Sequence, residues 1–229
     1  MLSFRAVAWL DPSRFITLPE PLALPLNMLG VLFLACGVWV WLSKPSRLTR
    51  VFLVYAIGGT VHWGGAIGAE SQGRAIAWLV LYMAGAVMAE AAFLDLSLRF
   101  PRALPQRRLR GIALYLPAIL VLLAVPITPF LSLQIVEVMA GAVFLVANLM
   151  SLAAAVVFLV KWFRATSVER RAHSLTLIAG VVVLLGVMAL LGALETLPGE
   201  PDAWNLMSGL LPLALAWALT RAPVRASWQ

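Results

Sequence analysis

The sequence predicts an all-α fold, a polytopic integral membrane bundle of seven transmembrane helices with its N-terminus outside and its C-terminus in the cytoplasm. Composition is the first observation that predicts it, because 62% of the 229 residues are hydrophobic and only 12% are charged. A soluble domain carries about 45–50% apolar and about 25% charged residues. One globular core cannot bury this much apolar surface, so lipid is expected to solvate part of it.

The length of the apolar runs is the second observation. The runs are about 20 residues long, as a membrane-spanning helix requires, and they lack the alternation over about ten residues that is typical of barrel strands. The predicted spans are 22–42, 51–69, 75–98, 111–127, 135–160, 175–194 and 203–219. Residues 1–21 are predicted to form an outer interfacial segment and 222–229 a short cytoplasmic tail, so that the transmembrane domain covers 22–221.

The distribution of basic residues is the third observation. With seven spans, 14 of the 17 Lys and Arg residues fall on one side, which is expected to be the cytoplasmic side. The sequence therefore predicts a multi-pass protein of the bacterial cytoplasmic membrane, and the net charge of +7 reflects topology rather than nucleic-acid binding. Four arginines of the third connection are predicted to contact anionic lipids or a cytoplasmic partner: Arg102, Arg107, Arg108 and Arg110.

Three short motifs carry a resemblance to a known class of proteins. The third span ends in Phe-Leu-Asp-Leu-Ser-Leu-Arg-Phe-Pro-Arg (93–102), the fourth contains Tyr-Leu-Pro-Ala (115–118), and the last reads Leu-Pro-Leu-Ala-Leu-Ala-Trp-Ala-Leu-Thr-Arg (211–221). This succession resembles the seven-helix N-terminal sensor region of some bacterial membrane histidine kinases and nucleotide cyclases. In those proteins a signalling domain follows the seventh span, whereas here only 222–229 remain. The resemblance implies a sensor-like bundle that signals through a separate partner.

Several familiar functions do not fit the residues. A retinal protein needs a lysine deep in the final span, whereas the only lysines, Lys44 and Lys161, lie at predicted cytoplasmic helix ends. A haem held by two histidines needs a pair at matching depth, whereas His62 and His173 are predicted near opposite membrane faces. The sequence offers no histidine pair with metal-binding spacing and no serine–histidine–acid set at one depth. No metal site and no enzyme activity are therefore expected.

His62 lies in the most glycine-rich part of any predicted span. Glycines there allow another helix or a flat ligand to approach the backbone closely; the residues predicted to pack in this way are Gly58, Gly64, Gly65 and Gly68. Two interpretations of His62 stay open. One is a histidine hydrogen-bonded to a neighbouring helix, and the other is a single axial ligand of a porphyrin-type pigment through its neutral ring nitrogen.

Acidic residues within the predicted spans each require a partner, because a charge at the bilayer centre costs about 2.5–3.5 kcal/mol on insertion scales. Glu90 is the deepest, and it is predicted to be protonated or to pair with Asn148 or another polar group across the bundle. Asp95 and Arg99 are four residues apart, which predicts a local ion pair. Glu137 is predicted about one turn inside the outer end of the fifth span. Glu195 is predicted at the outer end of the sixth, where with His62 it could line an outward-facing polar pocket.

Two functions of different classes remain open on these observations. The first is a non-catalytic seven-helix membrane module that binds a partner protein or an apolar ligand, as a sensor would. The second is an accessory subunit of a larger electron-transfer or photosynthetic membrane complex, in contact with other subunits, pigment, haem or lipid. Glu90, Glu137 and Glu195 would also suit a proton-transporting protein, but the sequence has no detectable internal repeat, which disfavours a transporter.

Overall fold

The computed structural model describes residues 20–64, 72–100, 108–124, 126–127, 133–164, 166–167 and 210–221. Over these ranges every regular element is a helix, so the predicted all-α class is confirmed. The described helices are α1 (Glu20–Ser43), α2 (Arg47–Gly64), α3 (Gln72–Arg99), α4 (Arg108–Ala124), α5 (Leu133–Arg164) and α6 (Leu210–Arg221).

These six helices overlap six of the seven predicted spans, and the predicted span 175–194 lies outside the described residues. Of the described helices, two are long and apolar enough to cross a membrane, over Ala77–Arg99 and Gln134–Arg164. Shorter apolar helical stretches cover Asn27–Ser43, Ala113–Ala124 and Leu211–Thr220. Several helices begin or end a few residues beyond the apolar runs, because backbone hydrogen bonds continue through polar residues such as Arg47 and Arg164.

The turn between α1 and α2 is fixed by side chains that cap α2. Pro45 interrupts the helical pattern, and Ser46 follows it at the cap position. The Thr49 backbone N–H donates to Ser46 Oγ at 3.1 Å, and the Ser46 N–H donates to Thr49 Oγ1 at 2.8 Å. This reciprocal arrangement satisfies N–H groups that a helix start leaves without partners, and it reverses the chain within three residues.

Neighbouring helices in the chain run antiparallel. Thr60 of α2 donates to the Gly30 carbonyl of α1 at 3.1 Å, so the end of α2 lies beside the first half of α1. Gly58 of α2 faces Ala89 of α3, and Tyr115 of α4 reaches Asp95 near the end of α3. The first and third of these pairs join a late residue of one helix to an early residue of the other. Along α2 and α3 the contacts run in opposite order, from Tyr55–Phe93 through Gly58–Ala89 to His62–Tyr82, as antiparallel packing requires.

Two helix pairs run parallel. Lys161, near the end of α5, donates to the Ser97 carbonyl near the end of α3. Lys44, just after α1, donates to the Thr220 carbonyl near the end of α6. The C-terminal ends of α1, α3, α5 and α6 therefore lie at one end of the bundle. We call it the basic end and define it by Lys44, Arg99 and Lys161. The directions match the alternation of the predicted spans.

An aromatic core joins α1, α2, α3 and α5. The Tyr55 ring lies 5.4 Å from Phe33, 5.8 Å from Phe52 and 5.9 Å from Phe93, between ring centroids. Phe93 in turn lies 5.6 Å from Phe158. Such pairs contribute about 0.5–1.5 kcal/mol each beyond the apolar area they bury. The core therefore sets the spacing of these four helices.

Candidate functional site

His62 packs against α3 through an aromatic contact. Its ring centroid lies 4.3 Å from that of Tyr82 with an interplanar angle of 32°, and its side chain hydrogen-bonds the Tyr82 backbone. Tyr82 also contacts Phe144 of α5 edge to face, at 5.9 Å between centroids. This geometry corresponds to the first of the two interpretations, a histidine hydrogen-bonded to a neighbouring helix, and it links α2, α3 and α5 at one level.

The glycines beside His62 bring the backbones of α2 and α3 together. A Cβ atom placed on Gly58 would lie 2.6 Å from the backbone nitrogen of Ala89 and 2.9 Å from the carbonyl oxygen of Gly85. A Cβ atom on Gly85 would lie 2.8 Å from the backbone nitrogen of His62. Neither position has room for a side chain. The close helix approach predicted around Gly58 is therefore an approach to α3. Gly85 is the residue on α3 that allows it.

Glu90 lies deeper along α3, eight residues beyond Tyr82, or about 12 Å at the rise of an α-helix. Its carboxyl group lies beside the side chain of Ser151 on α5, and Ser151 is buried. The second oxygen, Oε2, is buried and has no hydrogen-bond partner. Asn148, the partner suggested by the sequence, instead donates to the Phe144 carbonyl of its own helix at 2.9 Å. Glu90 therefore has a polar partner across the bundle, one turn further along α5 than Asn148.

Asp95 and Arg99 form the predicted ion pair near the basic end. Arg99 Nε donates to Asp95 Oδ1 at 2.7 Å, and the two side chains are 17% and 3% exposed respectively. The Tyr115 hydroxyl of α4 lies 3.5 Å from the second carboxylate oxygen. The local pair is confirmed, and the structure adds that a residue of the Tyr-Leu-Pro-Ala motif touches it.

Both lysines of the chain bind carbonyl groups at the ends of other helices. The Lys161 ammonium donates to the carbonyls of Ser97, Leu98 and Phe100, at 2.6, 2.9 and 3.1 Å. Lys44 donates in the same way to Thr220. The last carbonyls of a helix have no partners within it, and a cation there also complements the helix dipole. The two lysines therefore tie α5 to α3 and α1 to α6.

The polar contacts occupy three separate levels of α3 rather than one pocket. Tyr82 meets His62, Glu90 meets Ser151, and Asp95 meets Arg99 and Tyr115. Within the ranges that the structure describes, no group of three or more His, Cys, Asp and Glu side chains is placed to hold a metal ion. Sequence reasoning missed Tyr82, Ser151 and Tyr115, because each is a common residue whose role depends on which helix it faces.

Several predicted site residues lie outside the described ranges, or have only their backbone described. Glu195, Gly65, Gly68, Arg102 and Arg107 lie outside the described residues. Gly64 is the last residue of α2. For three others the structure describes the helix backbone alone: Arg108 and Arg110 in the first turn of α4, and Glu137 in the second turn of α5. Their predicted roles at the cytoplasmic face and in an outward-facing pocket stay predictions.

Comparison of the chain with protein-family models, curated proteins and solved structures found no match.

Proposed function

We propose that this chain is a multi-pass bundle of seven membrane helices that acts as a non-catalytic, sensor-like binding module of the bacterial cytoplasmic membrane. Its signal, from a partner protein or an apolar ligand, would pass through helix packing to another protein at the basic end. The observation that carries the membrane part is the apolar surface of the described helices. The sensor-like part rests on the motif resemblance and on the polar contacts that join α2, α3 and α5.

Large apolar side chains cover the outward faces of the described helices. On α5 the exposed fractions are 75% for Val138, 62% for Leu145 and 67% for Phe163. On α4 Leu123 is 67% exposed, and on α1 Leu42 is 68% exposed. Monomeric soluble proteins rarely expose contiguous apolar patches of this kind. Lipid contact explains these faces on several helices at once, whereas docking of a single partner would explain only one face.

The basic end supports the proposed orientation. Lys44, Arg99 and Lys161 lie at the same end because of the parallel and antiparallel contacts of their helices. Lys and Arg at the ends of membrane helices concentrate on the cytoplasmic side. The proposed topology therefore has α1, α3, α5 and α6 entering the cytoplasm with their C-terminal ends.

A sensor needs contacts that join helices and that a ligand can change. The His62–Tyr82–Phe144 contact and the Glu90–Ser151 contact each join α3 to a neighbouring helix by a polar or aromatic group within an apolar bundle. A bound ligand shifts such an equilibrium only when it interacts differently with two packings. The level of His62 is the place where we propose that a ligand or partner acts.

Cysteine labelling in intact spheroplasts tests the topology. The chain has one cysteine, Cys36, which is buried, so Cys36→Ser provides the background. Ile127 precedes α5 in the sequence and Ser167 follows it, and both are exposed. A membrane-impermeant maleimide should label Ile127→Cys from outside and should label Ser167→Cys only after the membrane is broken. Labelling of Ser167→Cys in intact spheroplasts would rule out the proposed orientation.

Purification from native membrane in mild detergent separates the two functional classes. A sensor-like module should emerge colourless, alone or with a signalling partner below equal stoichiometry. An accessory subunit should remain in a complex of fixed stoichiometry, as shown by mass spectrometry and by pigment or haem absorption bands. The second result would reject the sensor-like proposal, and His62→Phe should then weaken the bands if this histidine ligates the pigment.

A further inference from the structure

Two buried carboxyl groups on α3 have opposite surroundings. Asp95 is 2% exposed and has the Arg99 guanidinium as a partner at 2.7 Å. Glu90, five residues earlier, has a hydroxyl group as its partner, from Ser151. Its Oε2 atom is buried, and among the described residues it has no hydrogen-bond partner and forms no ion pair. The two acids therefore form a natural comparison within one helix.

The surroundings of Glu90 disfavour a negative charge. An ionised carboxylate offers about four acceptor positions, and an isolated buried carboxylate instead takes up a proton and becomes neutral. Arg99 of α3 and Lys161 of α5 are engaged elsewhere, the first with Asp95 and the second with the carbonyls of Ser97, Leu98 and Phe100. Protonation removes the charge, and a neutral hydroxyl group without a partner costs much less in an apolar interior than an ionised oxygen without one.

We propose that Glu90 is a proton-binding site, occupied when the bundle is packed as described here, and that loss of this proton loosens the contact of α3 with α5. The juxtaposition that carries the proposal is a buried carboxyl group with one hydroxyl partner and one oxygen without any. In the neutral form Ser151 holds the carboxyl group in place. In the ionised form the second oxygen requires water or a cation, and either one has to enter between the two helices.

Other titratable groups also lie around this site. Tyr55 of α2 lies within electrostatic range of Glu90 and of Cys36 on α1. Asp95 with Arg99 on α3, Tyr115 on α4 and Lys161 on α5 lie toward the basic end. The described apolar part of α6, Leu211–Thr220, carries no titratable side chain.

This inference goes beyond the proposed function, because it names a ligand, the proton, and a site for it. It rests on contacts between helices and does not depend on which end of the bundle faces the cytoplasm. Failure of the labelling experiment would therefore leave it intact, and failure of the experiment below would leave the topology intact.

Infrared spectroscopy of the purified chain in lipid nanodiscs tests the proposal. The wild type at neutral pH should show a carboxylic-acid C=O stretching band that Glu90→Gln removes completely. Asp95→Asn, the matched change at the ion-paired acid, should leave this band in place. An acid band that survives Glu90→Gln, or none in the wild type, would overturn the proposal.

Two further measurements keep the proposal testable if Glu90→Gln does not fold. Ser151→Ala removes the hydroxyl partner, so the acid band should move to higher frequency without losing intensity; an unmoved band would count against the proposal. In the wild type, raising the pH should abolish the acid band and lower the thermal unfolding midpoint together, because ionisation destabilises this packing. Lys161, which ties α5 to the end of α3, also loses its charge at high pH. Glu90→Gln, where it folds, should therefore show a smaller fall in midpoint than the wild type over the same pH range.

Discussion

Replacing Arg99 by methionine is expected to lower the free energy of unfolding by about 3–5 kcal/mol, the cost of breaking a buried ion pair by removing one partner. Asp95 is 2% exposed, so it cannot exchange Arg99 for water without a change in packing. Its remaining partner, the Tyr115 hydroxyl, lies at 3.5 Å and cannot compensate for a lost cation. Unfolding of the purified chain by denaturing detergent in mixed micelles measures the difference in the free energy of unfolding between the wild type and Arg99→Met.

The double variant Asp95→Asn/Arg99→Met separates the ion pair from the packing of the arginine stem. Removing both charges leaves no unpaired buried ion, so most of the lost stability should return. A double variant as unstable as Arg99→Met alone would mean that the arginine acts through its aliphatic stem rather than through its charge. Arg164→Met is the control for loss of a positive charge at the basic end, because Arg164 is exposed, and it should change stability by less than about 0.5 kcal/mol.

The helices and the Asp95–Arg99 pair could be predicted because their signals are local in the sequence. A run of apolar residues sets the extent of a helix, and a spacing of four residues places two side chains on one helix face. The direction of each described helix also follows from which of its two ends carries the basic residues. None of these inferences depends on how one helix is rotated against another.

Contacts between helices depend on rotation and axial position, which the sequence does not specify to within one turn. Asn148 and Ser151 are three residues apart on α5, and either could have met Glu90 from sequence alone. The structure places Ser151 there and leaves Asn148 bonded to its own helix. Likewise, four glycines near His62 suggested a close approach, but Gly85 on the opposing helix became visible only once α2 and α3 were paired.

The pairing of Gly58 with Gly85 leads to a prediction about packing. Gly58→Ala is expected to lower the free energy of unfolding by about 2–3 kcal/mol, within the usual cost of overpacking. The new methyl group would meet backbone atoms of Ala89 and Gly85, and backbone atoms cannot move aside as a flexible side chain can. The helices α2 and α3 would have to separate along their length. Unfolding in mixed micelles should show the loss of stability, and the near-ultraviolet circular dichroism of the aromatic core should show the separation of α2 and α3.

Gly141→Ala is the matched control, because Gly141 also lies inside a helix, and a Cβ atom placed there meets nothing within 4 Å. Alanine is a better helix former than glycine by about 0.8–1.0 kcal/mol in a helix interior. Gly141→Ala should therefore leave stability unchanged or raise it, while Gly58→Ala lowers it despite the same gain in helix propensity. Equal effects of the two substitutions would show that the backbones of α2 and α3 do not approach closely at Gly58, and the rotation of α2 against α3 would have to be revised. That revision would also move His62 away from Tyr82, because His62 lies one turn beyond Gly58 on the same helix.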